Sequence, residues 1–92
     1  MRHILVACAD PSLVDALRDA ADASTTFLPE EGVEEALERL GRSSRIDAVV
    51  TEDPALVDAI RAEIPGEIPV HLRAGGEAVA ETLAALERLL GA

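Results

Sequence analysis

An apolar run that ends in Asp-Pro and passes at once into an amphipathic segment occurs twice in this chain. The first is Ile4-Leu5-Val6-Ala7-Cys8-Ala9-Asp10-Pro11, the second Ala48-Val49-Val50-Thr51-Glu52-Asp53-Pro54. A short unbroken apolar run fits a strand covered on both faces. An aspartate after it can accept hydrogen bonds from the free amides of a helix start, and proline suits the first helical position because it has no N–H to satisfy. Each stretch therefore predicts a buried strand feeding a helix. The segment after each turn also repeats. Asp10-Pro-Ser-Leu-Val-Asp-Ala-Leu-Arg18 returns as Asp53-Pro-Ala-Leu-Val-Asp-Ala-Ile-Arg61. Two turns with equal geometric needs converge on equal caps and equal core positions, which places both at the same sheet edge.

The remaining sequence continues the alternation. Strands are predicted over Arg2 to Ala7, Ser24 to Leu28, Ile46 to Thr51 and Ile68 to Leu72, where Pro69 suits a strand start. The first helix runs from Pro11 to Ala21. The second opens at Pro29-Glu30-Glu31, buries Val33, Ala36, Leu37 and Leu40, and stops at Gly41. The third runs from Pro54 to Pro65-Gly66 with Leu56, Val57, Ile60 and Ile64 on one face. The fourth follows Gly75-Gly76 and covers Glu77 to Leu90. Strands alternating with helices predict an α/β fold, a parallel sheet with helices on both faces. Right-handed crossovers favour the strand order 2-1-3-4, with strands one and three central. Their carboxyl ends, Cys8-Ala9-Asp10 and Glu52-Asp53, then face each other at the switch point, where open α/β sheets gather ligands.

Composition excludes several classes of function. Acidic residues number 18 against 8 basic ones, a formal charge of −10. A surface of that sign repels nucleic acid and anionic membrane. Phe27 is the single aromatic residue, so no stacking platform for bases exists. Every basic residue is Arg, and Lys is absent. Abundant acid without Lys resembles the proteins of salt-loving microbes, whose acidic surfaces stay hydrated while salt screens their self-repulsion. One cysteine excludes an internal disulfide and any multi-cysteine metal site. The 92 residues predict a single domain over 1–92 with no room for a second module. No apolar run approaches the roughly 18 residues of a membrane span, and the amino-terminal run is too short for a signal peptide. A cytoplasmic protein is the expectation.

Several stretches resemble response-regulator receiver domains. Ile4-Leu-Val-Ala-Cys-Ala-Asp-Pro-Ser-Leu13 is similar to their opening, of the type I-L-V-V-D-D-D-P-S-L. Glu35-Ala-Leu-Glu-Arg-Leu40 looks like their second helix. Asp47-Ala-Val-Val-Thr-Glu52 looks like their third strand, which ends in the phosphorylated Asp, and Ile68-Pro-Val-His-Leu-Arg-Ala74 like their fourth. The resemblance spans most of the chain and implies a flavodoxin-like, receiver-like three-layer sandwich. The departures fall on the chemistry. Cys8 and Ala9 stand where receivers place the acids that hold Mg²⁺, and only Asp10 remains acidic. Glu52 stands at the phosphoacceptor position, and Arg73 replaces the Ser/Thr after strand four in a segment one residue shorter. Neither the family's essential Lys nor its fifth strand has a counterpart. The resemblance thus implies a pseudo-receiver, a non-catalytic regulatory or protein-binding module in signal transduction. Cys8, Asp10, Glu52 and Arg73 mark its degenerate phosphorylation site, and it has no catalytic, cofactor-binding or metal-binding residues.

Two alternatives belong to other classes. Ile4-Leu-Val-Ala-Cys8 also resembles the IIB components of sugar phosphotransferase systems, which carry a phosphocysteine at the end of strand one. That resemblance implies a phosphocarrier using Cys8. Their loop offers consecutive backbone N–H groups to phosphate, whereas Ala9-Asp10-Pro11-Ser12 has no glycine and loses a donor at Pro11. The third reading is a receiver that accepts phosphate or Mg²⁺ through Asp10 and Glu52.

Each candidate residue also has a plainer duty. Cys8 fits a small buried hydrophobe, since free cysteine is among the most buried residue types. Asp10 and Asp53 fit helix caps. Glu52 fits a salt bridge to Arg73, because both fall near the carboxyl ends of adjacent strands. His3 and His71 fall on strands that are not adjacent, so no two-histidine metal site is expected. Val79, Leu83, Leu86, Leu89 and Leu90 give the fourth helix more apolar groups than one face on a small sheet needs. A homodimer through strand four and helix four would cover them.

Overall fold

In a computed structural model of the chain, the described residues are 2–8, 11–21, 24–30, 32–42, 45–64 and 68–91. They form an α/β, flavodoxin-like sandwich in the order β1 (Arg2–Ala7), α1 (Pro11–Ala20), β2 (Thr25–Glu30), α2 (Val33–Arg42), β3 (Ala48–Thr51), α3 (Pro54–Glu63), β4 (Val70–Leu72) and α4 (Val79–Leu89). All strand pairs are parallel, and the sheet order is β2-β1-β3-β4 as the alternation predicts. Asp10, the expected cap of α1, lies outside the described residues.

Side-chain alternation along the central strands divides the core into two layers. Ile4 and Val6 of β1, Phe27 of β2 and Ala48 and Val50 of β3 pack against Leu13, Val14 and Leu17 of α1 and Leu86 of α4. Leu5, Ala7 and Val49 point the other way, onto Ala36 and Leu40 of α2 and Leu56 and Ile60 of α3. The register sets Leu5 opposite both Leu28 and Val49, so β1 is buried on both sides and both edges. Burying each of these larger apolar side chains contributes about 1.5–3 kcal/mol.

Several boundaries differ from the sequence reading. Pro29 and Glu30 do not open a helix. They complete β2, which pairs with β1 as far as Ala7 opposite Glu30. The Arg2 amide donates to the Ser24 carbonyl at 2.9 Å, which sets the phase of this ladder. Even-numbered residues of β2 bond to β1, and odd-numbered ones face the free edge. The nitrogen of Pro29 therefore points away from the sheet, where a missing N–H breaks no bond. The Glu30 carboxylate is held instead by Arg39 Nε at 2.5 Å. Acids still occupy the first turn of α2, but they are Glu34 and Glu35.

The second difference is that α2 does not stop at Gly41 but continues to Arg42. The Glu38–Arg42 pair, one turn apart, brackets the glycine on the helix surface. Third, β3 and β4 are shorter than expected. Ile46 and Asp47 precede β3, although the Asp47 amide still reaches the His3 carbonyl at 2.8 Å. Pro69 turns its carbonyl to the Val49 amide at 2.9 Å, so its nitrogen also faces β3 and has no hydrogen to give. The β4 ladder starts one residue later, at Val70.

Of the apolar groups expected to be surplus on α4, Leu86 is buried, and Val79, Leu83 and Leu90 pack against the α1 layer of the core. Leu72 and Leu89 are the exposed large apolar residues, and they lie on opposite faces of the sheet. Leu72 shares the face of Val70, which packs on the α2–α3 layer, while α4 belongs to the other layer. No described helix is long and apolar enough to cross a membrane.

Candidate functional site at the carboxyl edge of the sheet

Strands β1 and β3 end side by side, and the hydroxyl of Thr51 ties them. Thr51 is fully buried. Its Oγ1 donates to the Ala7 carbonyl at 3.1 Å and accepts from the Asp53 amide at 3.1 Å. Asp53 then turns its carboxylate onto the Ala55 amide at 2.9 Å, and Pro54 starts α3. The second Asp-Pro pair thus does the capping work that its spacing predicts.

A cleft of about 390 Å³ opens between these ends, bounded by Cys8, Gly32, Thr51, Glu52 and Asp53, among others. The sheet therefore brings Cys8 beside Glu52 and Asp53, while Asp10 lies outside the described residues. Cys8 is half-buried and packs against the α1 side of the core. The charged described groups on this cleft, Glu52 and Asp53, are both acids. Two carboxylates oppose a thiolate and repel a phosphate dianion. Among the described residues, no group of three His, Cys, Asp or Glu side chains is placed to hold a metal ion.

Glu52 turns to Arg73, as their positions at adjacent strand ends predict. Arg73 Nη1 donates to Glu52 Oε1. The two partners sit differently: the Arg73 side chain is 12% exposed and that of Glu52 42%. The guanidinium is the fixed partner, because its other nitrogens are also engaged. Nε donates to Thr82 Oγ1 at 3.2 Å, and Nη2 donates to the Glu77 carbonyl. One planar fork thus joins the end of β3 to the start of α4, which a lysine ammonium could not do in the same geometry.

The network extends past the residues that sequence reasoning singled out. Thr82 Oγ1 donates to Glu77 Oε2 at 2.5 Å, and His71 Nε2 lies 2.8 Å from the same oxygen. A carboxylate can only accept, so Nε2 of His71 carries the proton. The Gly75-Gly76 turn makes this possible. Gly76 adopts φ 83°, a left-handed conformation suited to glycine, and swings Glu77 back over β4. Helix α4 therefore starts at Val79, two residues later than its apolar pattern suggests. Thr82 carried one visible signal: it is a polar residue on the buried stripe of an amphipathic helix, where a hydroxyl needs a partner.

The hydrogen bond from Thr82 holds the Glu77 carboxyl below its ordinary pKa. His71 adds to this by its hydrogen bond and charge, and burial opposes it. A lowered carboxyl pKa in the fold contributes stability that is complete above the unfolded value, about 4.3, and lost as the pH falls through the folded one. Glu77→Gln, which keeps an acceptor for Thr82, should thus lie closest to the parent in the acid range. Urea unfolding of both proteins at neutral pH and below about pH 4 measures this. An equal gap at both pH values would show that Glu77 does not drive the acid sensitivity.

Comparison of the chain with protein-family models, with curated proteins and with solved structures returns no match.

Proposed function

We propose that the chain is a pseudo-receiver: a non-catalytic regulatory or protein-binding module built on a receiver-like fold that lacks the metal and phosphorylation site of true receivers. The observation that carries this reading is the pairing of Glu52 with Arg73. The phosphoacceptor position faces a cation supplied by the chain itself. That cation is fixed to α4 through Thr82 and the Glu77 carbonyl. A carboxylate engaged in this way is a poor nucleophile toward an acyl phosphate donor. Apart from Arg73, which is engaged by Thr82 and the Glu77 carbonyl, the described charged groups beside it in the cleft are acids, whereas a transferring phosphoryl group needs cations.

The same cleft argues against a phosphocysteine at Cys8. Glu52 and Asp53 raise the energy of a thiolate and of its phosphate adduct alike. The module then acts through its surfaces, with the carboxyl edge serving as a permanently joined corner between β3, β4 and α4. Incubation of the full chain with acetyl phosphate and Mg²⁺, followed by intact-mass measurement, should return the unmodified mass. A phosphate adduct that disappears in Glu52→Gln would overturn the reading in favour of an active receiver. One that disappears in Cys8→Ser would overturn it in favour of a carrier.

A further inference from the structure

At the opposite edge of the sheet, a cavity of about 270 Å³ lies between the amino ends of β1 and β2 and the last turns of α1 and α4. Its floor is apolar, made by the buried side chains of Ile4, Phe27 and Leu86. Ala21, Leu83 and Leu90 form much of its wall, and Arg2 and Glu87 stand among the lining residues as its charged groups. The volume is just below the range of about 300–1,000 Å³ usual for drug-sized ligands, so it suits a smaller one.

Arg2 is the anomaly. Three described arginines are half-buried: Arg2, Arg39 and Arg73. Arg39 holds Glu30, and Arg73 holds Glu52. The guanidinium of Arg2 makes no ion pair or hydrogen bond among the described residues. A cation with no acceptor among the described residues, at the mouth of an apolar cavity, is open to an anion from outside. The planar fork of arginine suits a carboxylate best.

Glu87 on the rim has the other sign. Helices α1 and α4 both end at this cavity and present the negative ends of their dipoles, with Arg18 and Arg88 in their last turns. Glu87 adds a full negative charge. A simple carboxylic acid would satisfy Arg2 but face these groups unfavourably, and a simple amine would do the reverse. A ligand carrying both charges beside an apolar tail matches all three surfaces.

We propose that this cavity binds a free aliphatic α-amino acid such as leucine. Its carboxylate rests on Arg2, its ammonium faces Glu87 and the helix carbonyl ends, and its side chain lies on Ile4, Phe27 and Leu86. The site is independent of the phosphorylation-site reading, and its failure would leave that reading untouched. It would give a module without phosphate chemistry a small-molecule input.

The test is calorimetric titration of L-leucine into the full chain, beside isocaproate, which lacks the ammonium, and isoamylamine, which lacks the carboxylate. Leucine should bind saturably, and each analogue more weakly. Arg2→Gln should weaken leucine binding by about tenfold or more, the loss of a charge-assisted hydrogen bond. Ala21→Leu should block the cavity without touching either charge, and far-UV circular dichroism confirms that each variant remains folded. Three outcomes would overturn the proposal: no saturable binding of leucine, parental affinity in Arg2→Gln, or isocaproate binding as tightly as leucine.

Discussion

Arg73→Met should lower the unfolding free energy by about 2–4 kcal/mol, although it replaces a single side chain near the surface. Methionine keeps the apolar stem and deletes the fork. Three acceptors lose their donor together: Glu52 Oε1, Thr82 Oγ1 and the Glu77 carbonyl. Glu52 is exposed enough for water to replace the arginine, so that pair alone is worth no more than about 1 kcal/mol. The larger share comes from Thr82, which is fully buried. Glu52→Gln should therefore cost far less than Arg73→Met. Urea unfolding of the two variants decides the matter. Equal losses would mean that the exposed ion pair, rather than the attachment of α4, carries the energy.

Phe27→Ala should be the most damaging apolar substitution, costing about 3–5 kcal/mol. Phe27 is 1% exposed and heads the fully buried side chains by size. It is also the single aromatic in a core otherwise built from aliphatic residues. Against the roughly 5–15 kcal/mol usual for a domain, such a loss brings the protein close to unfolding at ambient temperature. Phe27→Leu should retain most of the stability. With neither Trp nor Tyr in the chain, the transitions are best followed by far-UV circular dichroism. A loss below about 1 kcal/mol for Phe27→Ala would show that the α1 layer repacks freely.

The features legible in the residues were local, or repeated. The two Asp-Pro turns announce strand ends and helix starts because capping is decided within a few residues. Asp53 performs that duty. The sheet order follows from the alternation and the handedness of crossovers, and it places Glu52 near Arg73. The misread boundaries depend on partners far away in sequence. Pro29-Glu30 carries the local signature of a helix start, yet Val6 and Ala7 across the ladder keep both residues in the strand. Gly41 carries the signature of a helix end, yet the helix runs one residue past it. The gathering of Thr82 and Glu77 on Arg73, with His71 on the Glu77 carboxylate, requires the path of the Gly75-Gly76 turn, which composition does not specify.

The nitrogen of Pro29, turned outward from β2, has a consequence for how the sheet can grow. Its two rims are unequal. On the β2 rim the odd-numbered residues face out, and one of their donors is missing at the proline. On the β4 rim the phase set by Pro69 and Arg73 leaves the amides of Val70 and Leu72 pointing outward, and neither is a proline. A strand from another copy thus meets a complete hydrogen-bonding template on one side and a spoiled one on the other. A strand that joins the sheet from outside can therefore extend it past β4 and not past β2.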